Sequence, residues 1–386
     1  MPWPCGAADY VAGLAERLAG RGLRVVVVTS NPRATQPSSG AYAVEVVPGN
    51  WGIRHQRQIW RAVAATRVDV VDFQYEASMY GGSPVALAFP ILAPRRRPAI
   101  VLTMHSAQLP RGIGRLARVL QFLPYAAVTF YSDALADTAR RWFPKRADRF
   151  FVRGFPPNIT DSVAPAVRPL IAKIKAGLLR DAQVAVYFGH IGSNRGIEDL
   201  LVAAQTLKER GVALQWLLLS QFRPREVAYH RVIFDRVVAL GLRDVVSCPG
   251  ELSAETISNL LAAADFAVLP FPGGASQKNG SLAAMFEHGV PTVTTRSAST
   301  EPALIESGAL LWYAPGDVDA LVGHVEKLAL DHAFRLGIRE RACGLRDLVA
   351  WEGYLDARLS VYDRALDVHP HPFHDAVAQA HAQAAS

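Results

Sequence analysis

The sequence predicts an α/β protein of two domains, each a parallel sheet covered by helices. Short β-branched runs alternate with amphipathic stretches along most of the chain, which is the pattern of parallel strands joined by crossover helices. The alternation breaks once, where prolines and small polar residues cluster from Gly154 to Pro169. At 386 residues, half of them hydrophobic, the chain is long enough to bury two cores.

In the first half, Val25 to Thr29, Val44 to Val47, Val68 to Gln74, Ile100 to Met104 and Ala127 to Tyr131 read as strands. In the second, Val184 to Gly189, Leu214 to Ser220, Val245 to Ser247, Phe266 to Leu269 and Thr292 to Thr294 do so. After Asp317 the pattern is helical, and a helix from about Asp347 to Leu366 carries Leu348, Trp351, Leu355, Leu359 and Tyr362 along one face. These readings place domains at 1–155 and 156–346, a packing helix at 347–366 and a flexible tail at 367–386. The tail mixes His, Ala, Gln and Pro without convergent histidines, and reads as frayed chain rather than a metal site. Pro4 to Tyr10 resembles a glycine loop that follows a first strand, yet no strand-length sequence precedes it. The first strand is therefore expected to be missing and the loop at Gly6 to be poorly fixed.

Composition narrows the function classes. Cys5, Cys248 and Cys343 are odd in number with no close pair, against a disulfide framework and against zinc. The net charge of +7 suits an anionic partner. No apolar stretch approaches the roughly 18 residues of a membrane span, and Tyr10, Val11, Leu14 and Leu18 recur at helical spacing where a leader would lie, so a cytoplasmic protein is expected. Arg111, Arg115 and Arg118 alternate with Ile113, Leu116, Val119 and Leu120; this basic amphipathic helix fits either a solvated surface or a peripheral contact with the inner face of the membrane. Arg95 to Arg97 lack the aromatic platform that nucleic-acid binding would need.

The most informative stretch is Val186-Tyr187-Phe188-Gly189-His190-Ile191-Gly192-Ser193-Asn194-Arg195-Gly196-Ile197. A strand ends in glycine, passes through a polar turn and enters a helix at a basic residue plus glycine. Free N–H groups at a helix start and a guanidinium beside them favour a diphosphate. No G-x-G-x-x-G follows a strand, which removes the nicotinamide dehydrogenases.

This stretch resembles the donor-phosphate loop of the family-four retaining glycosyltransferases, with His190 and Arg195 at the places of that family's arginine and lysine. Asp72-Phe73-Gln74-Tyr75-Glu76, Thr103-Met104-His105, Ala264-Asp265, the run His288 to Thr295 and Trp351-Glu352 resemble its other landmarks in order and spacing. The resemblance implies the GT-B fold: two Rossmann-like domains facing across a cleft, an acceptor-side domain first and a nucleotide-sugar domain second, with the C-terminal helix packing back toward the first. It implies metal-independent transfer of a sugar from a UDP- or GDP-sugar to a hydroxyl acceptor with retention of configuration, and no cofactor. His105 and Arg195 are then the catalytic candidates. Gly6, Gly189, His190, Arg195, Leu252, Ser276, Lys278, Asn279, Gly280 and Ser281 are the donor-binding candidates.

The departure lies in that last loop. Counting back from Gly289 and Pro291, the two glutamates of the family fall on Ser276 and Ala284, so neither carboxylate is present. An inactive GT-B binding protein and a GT-B sugar-nucleotide epimerase are the alternatives this leaves. Each site residue also has an ordinary reading: His105 as a buried structural histidine, Ser276 and Asn279 as helix caps, Lys278 as a solvated loop lysine, Gly6 as a turn glycine.

Overall fold

A computed structural model describes residues 6–368, apart from residues 33, 38, 48, 50, 81–85, 88, 95–96, 106–121, 164–181 and 299. The chain forms two units, Met1–Gly154 with Glu352–Ser386, and Phe155–Trp351.

The first unit opens with α1 (Gly6–Gly20), whose buried stripe of Tyr10, Leu14, Ala15 and Leu18 has helical spacing. Gly6 is the first residue of this helix and not part of a loop. The short parallel pair β1 (Val26–Thr29) and β2 (Ala43–Val46) follows, then α2 (Gln56–Thr66). A four-stranded parallel sheet is built from β3 (Val70–Tyr75), β4 (Ala99–Met104), β5 (Ala127–Phe130) and, after α3 (Asp133–Trp142), β6 (Phe150–Val152), in that order. Every residue of β4 is buried, as expected of an inner strand covered on both faces.

The second unit runs β7 (Gln183–Phe188), α4 (Ile197–Glu209), β8 (Leu214–Leu219), α5 (Ala228–Ala239), β9 (Val246–Ser247), α6 (Ala254–Ala263) and β10 (Phe266–Leu269). It continues through α7 (Gly280–Glu287), β11 (Thr292–Thr295), α8 (Pro302–Glu306), β12 (Leu310–Tyr313), α9 (Val318–Leu330), α10 (His332–Cys343) and α11 (Arg346–Val349). Its six strands are all parallel in the order β12-β11-β10-β7-β8-β9. This is the Rossmann order, and its sequence direction reverses between β7 and β10, where doubly wound sheets open a crevice at their carboxyl ends.

Two strands were not anticipated, β6 and β12. The final helix also differs from expectation: α11 ends at Ala350, whose extended ψ of 136° breaks the helix, and α12 (Trp351–Val368) begins afresh. Leu348 accordingly lies off the packing face and is exposed, whereas Trp351, Tyr354, Leu355, Arg358, Val361, Tyr362 and Ala365 are buried.

From Glu352 onward α12 belongs to the first unit, and a polar cluster holds it there. Asp72 on β3 accepts hydrogen bonds from Thr103 Oγ1 (2.7 Å), Arg358 Nε (3.0 Å) and the Tyr362 hydroxyl (2.7 Å). Arg358 also donates to Thr129 on β5 (2.7 Å) and to Thr103, and it pairs with Asp72 through Nη2. Thr103 and Thr129 stand opposite each other in adjacent strands, so the pleat brings both hydroxyls to one face of the sheet. No helix among the described residues is long and apolar enough to cross a membrane.

Candidate functional site

The crevice of the second sheet is framed by the loop after β7 and the loop after β10. β7 ends at Phe188, and Gly189 turns the chain at φ 147°, with its N–H donating to Leu219 O at 3.2 Å. The turn that follows is fixed from several sides. Ile191 is fully buried, its N–H donates to Ser220 Oγ (3.3 Å), and its carbonyl accepts from His230 Nε2 (3.1 Å). His230 sits on α5 and accepts the Arg223 N–H at Nδ1 (2.9 Å), which assigns the ring its Nε2–H tautomer. The Tyr187 hydroxyl donates to His190 O (2.7 Å).

Gly196 closes the loop at φ 66° as the cap of α4. A Cβ at this position would stand 2.2 Å from Pro270 O, so only glycine lets the start of α4 press against the end of β10. The motif's final glycine thus joins the two frames of the crevice.

The loop after β10 is pinned by hydroxyls on and after β11. Thr294 Oγ1 donates to Leu269 O (2.7 Å), Thr295 Oγ1 to Phe271 O (2.5 Å), Ser297 Oγ to Gly273 O (2.9 Å) and Thr300 Oγ1 to Ala275 O (2.9 Å). Beyond it, Asn279 Oδ1 accepts the Ser276 N–H at 2.8 Å, and the Asn279 N–H returns to Ser276 O at 3.0 Å. Ser276 is buried in this closed turn, and Asn279 spends its side-chain oxygen on shaping it. Asn279 is also the cap of α7 but gives no side-chain bond to the helix, whose first N–H groups are left without that partner. The buried Oδ1 of Asn158 has no hydrogen-bond partner among the described residues and lies 3.6 Å from where a Gly280 Cβ would stand.

The two loops meet. A Cβ on Gly189 would lie 3.8 Å from Ser281 Oγ, so the first turn of α7 and the glycine ending β7 are neighbours. Arg195 is half-buried, forms no ion pair among the described residues, and keeps a buried Nε without a partner. His190 is held below the usual imidazole range by burial, by the Arg195 guanidinium and by His230, so near neutrality its ring is predominantly uncharged. Such an arrangement has one permanent cation, one imidazole that an incoming anion would help to protonate, and the start of a helix.

Of the residues singled out from sequence, Gly189, His190, Arg195, Gly280 and Ser281 therefore share one neighbourhood. Ser276 and Asn279 shape the adjoining turn, and Lys278 is exposed on it. Leu252 is half-buried in the loop between β9 and α6 and packs on the core. His105 and Gly6 lie in the first unit. His105 follows β4, bonds Gln74 Oε1 through Nε2 (2.7 Å) and meets Tyr10 edge-on at 5.1 Å; burial lowers its pKa to about 4. Among the described residues a Cβ at Gly6 would meet nothing within 4 Å, so no close approach of their backbone calls for glycine there. Cys5, Arg111 to Arg118 and the tail from His369 lie outside the described residues. His230, Asn158 and the threonines of β11 were missed: their partners are brought in by the fold, and only the run of hydroxyl residues from Thr292 to Thr300 hinted at them.

Residues 4–152 match Glycosyltransferase Family 4, and residues 182–331 match Glycosyl transferases group 1. Among solved structures, sucrose-phosphate synthase from Thermosynechococcus elongatus is 19% identical with a TM-score of 0.69, covering 94% of each chain. HepE from Anabaena, in complex with UDP and glucose, is 18% identical with a TM-score of 0.69, covering 93% of this chain and 96% of that one. A glycosyltransferase from Rickettsia africae is 13% identical with a TM-score of 0.70, over 93% of this chain and 94% of its own. No curated protein matches the chain.

Proposed function

We propose that this chain, which belongs to the family-four glycosyltransferases of the GT-B fold, moves a sugar from a nucleoside diphosphate sugar to a hydroxyl acceptor with retention of configuration and without a divalent metal. The observation that carries the reading is the half-buried Arg195, without an ion pair among the described residues, in the loop whose first glycine abuts Ser281 at the start of α7, at the carboxyl edge of a Rossmann sheet. A diphosphate there exchanges water for fixed positive charge. As the bond from the anomeric carbon to the diphosphate breaks, negative charge grows on the leaving oxygen, and Arg195 with the N–H groups of α7 stabilises it. A nearby anion opposes the lowering that burial, Arg195 and His230 impose on His190, and so favours its protonation from solvent when the diphosphate binds. The acceptor proton passes to the departing phosphate, so no side-chain nucleophile is required.

The structures solved with UDP or UDP-glucose favour a UDP-sugar as donor. The test is calorimetric titration with UDP, GDP and ADP and their sugars, followed by NMR of the anomeric proton of the product with and without a chelator. A chain that binds none of these nucleotides would sink the reading, and an inverted product or a requirement for metal would remove its finer part.

One observation supports the inactive alternative. Neither family carboxylate is present, Ala284 is completely buried within α7, and Ser276 is absorbed in its own turn. Donor binding without transfer or hydrolysis would decide for that alternative.

A further inference from the structure

The first unit holds a second cationic cavity at the edge of its sheet away from His105. A space of about 190 Å³ is lined by Arg97, Arg146 and Arg149 together with Ile100, Tyr125 and Val368. Arg97 precedes β4, Tyr125 precedes β5, and Arg146 and Arg149 immediately precede β6, so the cavity opens where these strands begin. His105 stands past the other end of β4, six residues away along the strand, or about 20 Å at the usual rise.

All three arginines are half-buried, and none forms an ion pair among the described residues. Arg97 donates to Pro90 O and Arg146 to Leu123 O (2.7 Å), so backbone carbonyls fix two of the guanidinium groups without neutralising them. The carboxylate next in sequence to Arg149, Asp148, is engaged by Arg364. Burial lowers the pKa of both Arg97 and Arg149, and for Arg149 the charge of Arg146 adds to it. Asp148, shared with Arg364, only partly offsets these charges, and three converging cations without an ion pair among the described residues cost the fold electrostatic energy that a bound oxyanion would return.

We propose that this cavity binds a phosphate group, as a phosphomonoester or a phosphodiester, at a site separate from the donor crevice. Planar guanidinium forks match phosphate oxygens in pairs. The volume is below the roughly 300–1,000 Å³ of pockets that enclose a drug-sized ligand, which fits a small charged group and excludes a whole nucleotide sugar. Exposed Ile91 and Leu92, next to the Pro90 carbonyl that holds Arg97, leave two sources for that group: a soluble phosphorylated compound or an anionic lipid headgroup.

Equilibrium dialysis of the full chain against inorganic phosphate tests the site, with Arg195→Gln as background to silence the donor loop. One phosphate should bind this protein, and adding Arg149→Gln should weaken it by about tenfold or more, the loss expected for a hydrogen bond to a charged group. Arg149 makes no side-chain hydrogen bond among the described residues, and Arg97→Gln serves as the second variant should the first prove unstable. Absence of binding in the millimolar range, or unchanged affinity in both folded variants, overturns the proposal. Cosedimentation with phosphatidylglycerol vesicles, but not phosphatidylcholine vesicles, that phosphate reverses and Arg149→Gln abolishes assigns the headgroup as source. Phosphate binding without such cosedimentation assigns a soluble phosphate.

Discussion

Arg358 in the first unit and Arg195 in the second are both withdrawn from water, and the fold treats them in opposite ways. Arg358 is 2% exposed and meets a carboxylate, a phenol and two threonine hydroxyls. Arg195 has no ion pair among the described residues and keeps an unsatisfied Nε. A buried cation with every donor satisfied is part of the architecture, because removing it strands its partner. One left incomplete at the carboxyl edge of a sheet marks where an anion is expected to arrive.

Substituting each arginine sharpens the contrast. Arg358→Met should destabilise the protein by about 3–5 kcal/mol, the penalty for leaving a buried charge uncompensated. Adding Asp72→Asn should recover part of that loss. Urea denaturation of the single and double variants reads both, and a single variant of unchanged midpoint would mean that Asp72 has found water or another partner.

His105 gives the next largest effect, through pH. Its pKa in the fold is about 4, against roughly 6.5 for a free imidazole, so both states are neutral above about pH 7. Between about pH 6.5 and 4 the unfolded chain takes up a proton that the folded chain refuses. Stability should therefore fall with pH across that window, by roughly 3 kcal/mol at its lower end. Denaturation midpoints at several pH values would show it, and His105→Gln should flatten this part of the profile.

Arg195→Ala is expected to weaken donor binding by about 1.5–3 kcal/mol while leaving stability within about 0.5 kcal/mol, because its guanidinium has no ion pair among the described residues and its Nε has no partner there. Equal losses in binding and stability would place Arg195 with Arg358 as an architectural residue. The smallest expected change is at the turn before α7. Lys278→Ala should alter stability by less than about 0.5 kcal/mol, whereas Asn279→Ala should cost about 1 kcal/mol, since its side-chain oxygen receives the Ser276 N–H. Thermal melts of the two variants measure the difference.

Much of this was legible in the sequence where the signal is local. Runs such as Val184 to Phe188 and Phe266 to Leu269 are apolar, β-branched or aromatic and bounded by turn residues, and they became β7 and β10. Gly189, Arg195 and Gly196 were recognised because strand, turn and helix follow one another within a dozen residues. β6, three residues long, is too short for any period to register, and β12 offered only Leu-Leu-Trp-Tyr after a serine and a glycine. His230 could not be found this way: its bond to Ile191 spans 39 positions and exists only once α5 has packed. Asn279 illustrates the opposite difficulty, since a polar residue in a loop looks available until the bond that occupies it is seen.

The pairing of Asp72 with Arg358 joins positions 286 residues apart, and the whole of the second unit lies between them. On a ribosome that adds roughly 5–20 residues per second, about 15 to 60 s pass between the emergence of the carboxylate and that of its cation. For that interval β3 carries an uncompensated Asp at a position destined for burial, while the second unit, unbroken in sequence, already has all its strands. The first unit therefore lacks this ion pair until α12 has been made.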